Sequence, residues 1–145
     1  MEEDAIERIR ASWARAAASP EILTGLFYGR LFRIAPETRG LFRVDMAMQG
    51  RKLADTLGFV VDNLEDPDRL TPEVRALAER HVGYGAVSAD YAAVGEALIW
   101  ALEQALGPAF EAQTRAAWAD AYATLSAAMI AAAEAKGGAR TRAPA

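Results

Sequence analysis

The 145-residue chain contains one histidine, His81, in the stretch LAERHVGYG. An imidazole can act as a general base, a metal ligand or a hydrogen-bonding core group, and the residue type alone does not choose among them. Its place narrows the choice. Val74 and Leu77 precede it at helical spacing, so the ring lies on the apolar face of a helix. Taken alone, a histidine on such a stripe is more often a core residue bonded to a backbone carbonyl than a ligand. Four other residues stand out. Tyr28 lies in LFYGRLF, Phe42 in GLFRVD and Tyr91 at the start of an apolar helix pattern, and each also reads as ordinary aromatic packing. Gln49 heads an otherwise apolar stripe of Leu53, Leu57, Val60 and Leu64. Its amide needs partners if buried, and is simply solvated if the helix begins after it.

Most chemistry is poorly supported. The absence of cysteine removes disulfides, thiolate metal sites, iron–sulfur clusters and cysteine nucleophiles. No second histidine completes an H-E-x-x-H zinc site, and there is no G-x-S-x-G elbow or phosphate loop. The carboxylates offer no close pair on an apolar face. A net charge of −4 without a basic run argues against a nucleic-acid surface. The N-terminus, MEEDAIERIR, is acidic where a secretory signal would be basic, and no apolar run approaches the ~18 residues of a membrane span. The expectation is a cytoplasmic protein with no membrane association.

The elements that must position these residues are helical. The composition, 52% hydrophobic and 25% charged, is that of a globular domain. Ile6, Ile9 and Trp13 share one face of a first helix. Ser19 and Pro20 read as the N-cap and first turn of a second. APETRGLF forms a short helix or turn, and a third long helix covers about 47–64. Thr71 and Pro72 read as the start of a short helix carrying Val74, Leu77 and His81, ended by Gly83 and Gly85. A helix behind Ser88 places Tyr91, Val94, Leu98 and Leu102 on one face. The last, about 110–135, turns Trp118, Tyr122, Leu125, Met129 and Ile130 inward. Each proline falls at a joint or in the tail on this reading, and no segment alternates as a half-buried strand does. The fold class is therefore all-α, with about six to eight helices of uneven length rather than a four-helix bundle. Residues 1–136 form the domain, and 137–145 a mobile tail.

One histidine suits a cofactor that needs a single protein ligand. Haem b is such a group: one imidazole binds the iron, leaving the opposite face to a gas, while helices bury the macrocycle.

Three co-linear blocks carry a resemblance. LFYGRLFRIAPETRGLF resembles F-Y-x-R-x-F-x-x-x-P-E-x-x-x-L-F of the bacterial single-domain haemoglobins related to the globin part of flavohaemoglobins. RHVGYGAVSADYAAVGEAL is similar to their segment of a histidine followed by Y-x-x-V-G-x-x-L, and AWADAYATLSAAMI to A-W-x-x-A-Y-x-x-L of their last helix. The likeness runs from about residue 3 to 134. It implies a globin fold enclosing a haem pocket. By position it makes His81 the iron ligand, Phe42 the aromatic packed on the porphyrin, and Leu53, Val94 and Tyr91 further cofactor-binding residues. Tyr28 and Gln49 become the distal pair beside the bound gas, although the loop before Gln49 is shorter than in that family. The implied function is reversible binding of oxygen, nitric oxide or carbon monoxide at a five-coordinate haem b. The implied alternatives are a nitric oxide dioxygenase component and a gas sensor.

Two departures qualify this. In flavohaemoglobins a glutamate of the last helix joins the tyrosine matched by Tyr91 in a network to the proximal histidine, and such a network makes the imidazole a stronger donor. Here that position is Ala133, and Glu134 beside it points about 100° away around the helix. The second is length: turnover would draw electrons from a separate flavin reductase, since the sequence ends soon after the matched region. The chain is expected to be a monomer or a homodimer.

Overall fold

The computed structural model describes residues 2–42, 45–83 and 88–135. Six α-helices are present among them: α1 (Glu3–Ala16), α2 (Pro20–Ile34), α3 (Met46–Asp62), α4 (Pro67–Gly83), α5 (Ser88–Leu106) and α6 (Ala112–Ala135). Short 3-10 turns, Pro36–Leu41 and Gly107–Ala109, link α2 towards α3 and α5 to α6. No strand occurs among the described residues, so the all-α reading stands.

Local chemistry accounts for most boundaries. Glu3 and Asp4 occupy the positive first turn of α1. Pro20 opens α2, but the Ser19 hydroxyl at the cap position makes no hydrogen bond to the helix. Asp45 caps α3 by accepting from the Ala47 N–H, which brings Gln49 inside the helix. Gly107, at φ 55°, ends α5 in the left-handed conformation that glycine adopts without a Cβ penalty.

The start of α4 corrects the sequence reading. The helix begins at Pro67, with the Asp66 carboxylate accepting from the Arg69 N–H at 3.3 Å, and Pro72 lies inside it rather than at its start. Pro72 removes one ladder donor. The additional turn brings Leu70 against buried Val74 and Ala78, which offsets that loss. Gly83 is the last residue of α4, whereas Gly85 and the tail at 137–145 lie outside the described residues.

Helix α2 packs on α5 and α3, α1 on α6, and α4 on α6. At the α2–α3 crossing a Cβ on Gly50 would lie 2.8 Å from Thr24 Oγ1, so only glycine permits the approach. Trp118 of α6 donates its indole N–H to the buried Ser12 hydroxyl of α1 at 2.8 Å. The buried side chains fall into two clusters. The larger joins α1, α2, α5 and α6 around Ile9, Phe27, Leu31, Leu102 and Trp118. The smaller, Val74, Ala78, Tyr91 and Met129, joins α4, α5 and α6.

Candidate functional site

The larger cluster contains one group of interest. Tyr28, on the buried face of α2, has its ring 4.8 Å from Phe27, 5.9 Å from Phe32 and 5.3 Å from Phe42 between centroids. Phe42 meets Phe32 as well, edge to face at 5.6 Å. The Tyr28 hydroxyl crosses to α3, where it donates to the Gln49 carbonyl at 3.5 Å, a long and weak bond. Burial pushes the Tyr28 phenol up to about 12, with a hydrogen bond to the Gln49 side chain pulling in the opposite sense. The phenol therefore keeps its proton, and with it a donor, throughout the ordinary pH range. Gln49 is half-buried, and Leu53 and Val94 pack against the same cluster.

The second group stands on α4 and α5. His81 Nδ1 lies 2.8 Å from the Leu77 carbonyl. A carbonyl only accepts, so Nδ1 carries the hydrogen and the unprotonated nitrogen of the neutral ring is Nε2. Burial lowers the His81 pKa from 6.5, opposed by the Leu77 bond and assisted by the Arg80 charge, which favours that neutral form. The Tyr91 ring lies 6.3 Å from the imidazole, the two planes inclined by 29°. Tyr91 is buried, yet its hydroxyl has no hydrogen-bond partner among the described residues. Ala133 of α6 is completely buried, and Glu134 beside it is exposed.

α3 and α4 also border an open cleft of about 190 Å³, walled by Phe59, Val60, Leu70, Val74 and Leu77. Its charged lining residues, Asp55, Glu73 and Arg80, are exposed. Leu77 lies one turn before His81 on the same face of α4. The structure thus brings Tyr28, Phe42 and Gln49 together and brings His81 and Tyr91 together, and of their hydrogen-bond partners Leu77 also lines the α3–α4 cleft. Among the described residues no three metal-ligating side chains converge. A metal held by this imidazole would share its coordination sphere with a non-protein chelator. A chelate that needs one neutral nitrogen from the protein suits His81.

Sequence reasoning missed Leu77 as the acceptor that sets the tautomer, and Phe32 as the third ring around Tyr28 and Phe42. It also missed Gly95, where a Cβ would lie 2.5 Å from the Tyr122 ring. A glycine in mid-helix, where it weakens the helix, was the available signal.

A family model described as Globin matches residues 25–129, and the chain belongs to the globin family. Membership implies haem binding. The chain is 34% identical over 109 residues to a flavohemoprotein of Bordetella parapertussis, and 30% identical over 103 residues to one of Rhizobium meliloti. These matches take in 73% and 69% of this chain but only 27% and 26% of the relatives, so it spans about a quarter of their length. Among solved structures it resembles an engineered carbene transferase derived from a proposed nitric oxide dioxygenase of Rhodothermus marinus. There the TM-score is 0.84 at 26% identity, covering 94% of this chain and 96% of that one. A bacterial globin of Campylobacter jejuni shares the fold, with a TM-score of 0.82 at 24% identity over 94% and 99% of the two chains. No described helix is long and apolar enough to cross a membrane.

Proposed function

We propose that this chain holds haem b between α3 and α4, with His81 Nε2 as its single protein ligand, and binds a diatomic gas reversibly. The observation that carries this reading is membership of the globin family, which implies haem binding, in a chain with one histidine; the 2.8 Å bond from His81 Nδ1 to the Leu77 carbonyl agrees with it by leaving the ring lone pair on Nε2. Ferrous haem, when bound, supplies a coordination position for oxygen, nitric oxide or carbon monoxide. The protein supplies the surroundings. Phe42, Leu53 and Val94 give apolar contact with the macrocycle, and Tyr91 packs on the ligating ring. Tyr28 and Gln49 present a phenol and an amide as donors to the bound gas. A donor facing a partly negative acceptor in a buried site stabilises it by roughly 1.5–3 kcal/mol.

The names of the relatives support a second reading, nitric oxide dioxygenation with a separate flavin reductase. The buried Ala133, at the position where the resemblance leads one to expect a glutamate, favours gas binding as the main role, because a carboxylate there would strengthen His81 as a donor. Mixing the oxygenated protein with nitric oxide separates the two. Reversible gas binding predicts one stoichiometric reaction, whereas sustained nitrate formation with a reductase supports the enzyme. The haem reading itself is tested by absorption: the purified protein shows a Soret band that His81→Ala abolishes. Failure to take up haem on reconstitution would overturn it. The proposed setting is cytoplasmic, with residues 1–136 as the haem-binding unit, as a monomer or homodimer.

A further inference from the structure

The charges of this chain are unevenly placed. Residues 30–52 hold six basic side chains and two carboxylates, a net of +4 in a chain whose total is −4, so the remainder sums to −8. This stretch runs from the end of α2 through the 3-10 turn into the first turns of α3, and it contains Phe42 and Gln49. Arg33, Arg39, Arg51 and Lys52 are exposed, and none joins an ion pair among the described residues. Of the two carboxylates, Glu37 and Asp45, the second is engaged as the cap of α3. The Arg39 guanidinium lies over the Phe32 ring, 5.1 Å from its centroid, and Phe32 and Phe42 are only half-buried. On α3, Met48 is one of two large hydrophobic residues exposed among the described residues. Arg51 and Lys52 follow it by three and four positions, so all three share one face of the helix.

We infer that this face docks an acidic electron-donor protein, a reduced flavoprotein, with Met48 as the apolar contact and Arg33, Arg39, Arg51 and Lys52 as the cations. Charge complementarity favours this occupant. A +4 patch on a chain otherwise at −8 attracts an acidic surface here and repels it elsewhere, which orients the encounter. Methionine, aromatic and arginine side chains together are the composition of a protein–protein contact. A bilayer would find only Met48 to insert, too little for an interfacial anchor. What the partner does rests on the haem reading proposed above, whereas the docking itself does not. One electron passes from the partner's reduced flavin to ferric haem iron, which becomes ferrous, and no atom is transferred.

Flavodoxin, an acidic flavoprotein, serves as the probe. The four methionines give methyl signals in NMR of the full chain, readable with or without haem. On titration with oxidised flavodoxin at low salt, the Met48 methyl shifts and that of buried Met129 on α6 does not. Arg51→Glu combined with Lys52→Glu weakens this binding about ten-fold or more. Arg69→Glu combined with Arg75→Glu, the same charge change at exposed positions of α4, alters it less than about two-fold. An unmoved Met48, equal losses in the two double variants, or cosedimentation with phosphatidylcholine–phosphatidylserine vesicles in place of flavodoxin binding would overturn the inference. The ferric haem-loaded protein then tests the role: reduced flavodoxin reduces the Arg51→Glu, Lys52→Glu variant more slowly than the wild type, while dithionite reduces both alike. A variant that loses haem yet keeps flavodoxin binding assigns these cations to the cofactor and overturns the docking. A wild type that takes up no haem sinks the haem reading instead, and the methyl shifts still decide the docking.

Discussion

Two buried tyrosines, Tyr28 on α2 and Tyr91 on α5, differ in what holds their hydroxyls. Tyr28 reaches Gln49 on the next helix, and three aromatic rings surround it. Tyr91 has an equally buried ring, and its hydroxyl finds no partner among the described residues. A buried unsatisfied polar atom costs about 1–3 kcal/mol, so the contrast is one of energy as well as geometry. On the gas-binding reading the first tyrosine is committed as a donor. The second has become a packing surface for His81. The same residue type serves as chemistry on one side and as shape on the other.

The largest effect expected from disturbing that contrast is on the Tyr28 side. Tyr28→Phe removes the donor and keeps the ring, and oxygen dissociation from the haem-loaded protein accelerates roughly ten- to a hundred-fold, the rate equivalent of the lost charge-assisted bond. An unchanged off-rate in stopped flow would strip Tyr28 of its role and make the two tyrosines alike. A smaller effect is expected from adding what the Tyr91 side lacks. Ala133→Glu introduces an acceptor at a fully buried position of α6. It raises the iron–histidine stretching frequency by giving the proximal network a carboxylate, while overpacking costs about 1–3 kcal/mol in urea denaturation. If the frequency stays where it was, Ala133 is not what weakens the proximal side.

The smallest effect is that of pH. Burial depresses the His81 pKa below 6.5. Between the folded and unfolded values the unfolded chain binds more protons, so the His81 contribution to stability is present above pH 6.5 and is lost as pH falls through the folded value. Protons also compete for Nε2, so haem retention weakens in the same direction. The Tyr28 phenol, up near 12, does not titrate in that window. Acid titration followed by absorption therefore reports the histidine side alone, and His81→Ala, refolded without haem, lacks this component.

Much of this was legible in the sequence because helical periodicity is a local property. The stripe Val74–Leu77–His81, the donors at Tyr28 and Gln49 and the alanine at 133 all follow from spacing or from the resemblance. The start of α4 was misread because two prolines, Pro67 and Pro72, each suit a first turn. The choice between them depends on whether Leu70 finds the cluster on α4, α5 and α6, which is a tertiary matter. Tyr122 read as one more inward aromatic, and Gly95 passed unnoticed. Their meaning comes from a contact between residues 27 positions apart in sequence, on two helices whose crossing no local pattern specifies.

The sequence by itself determined the helical class and the placing of the single imidazole on the apolar stripe of its helix. Those depend on residue type and on a period of about 3.6 residues. Only the tertiary structure decided which hydroxyl has a partner, which nitrogen of His81 carries the proton and which aromatic ring presses on α5. Hydrogen bonds and van der Waals contacts are set within a few tenths of an ångström, and that depends on how whole helices pack rather than on the order of residues along one of them.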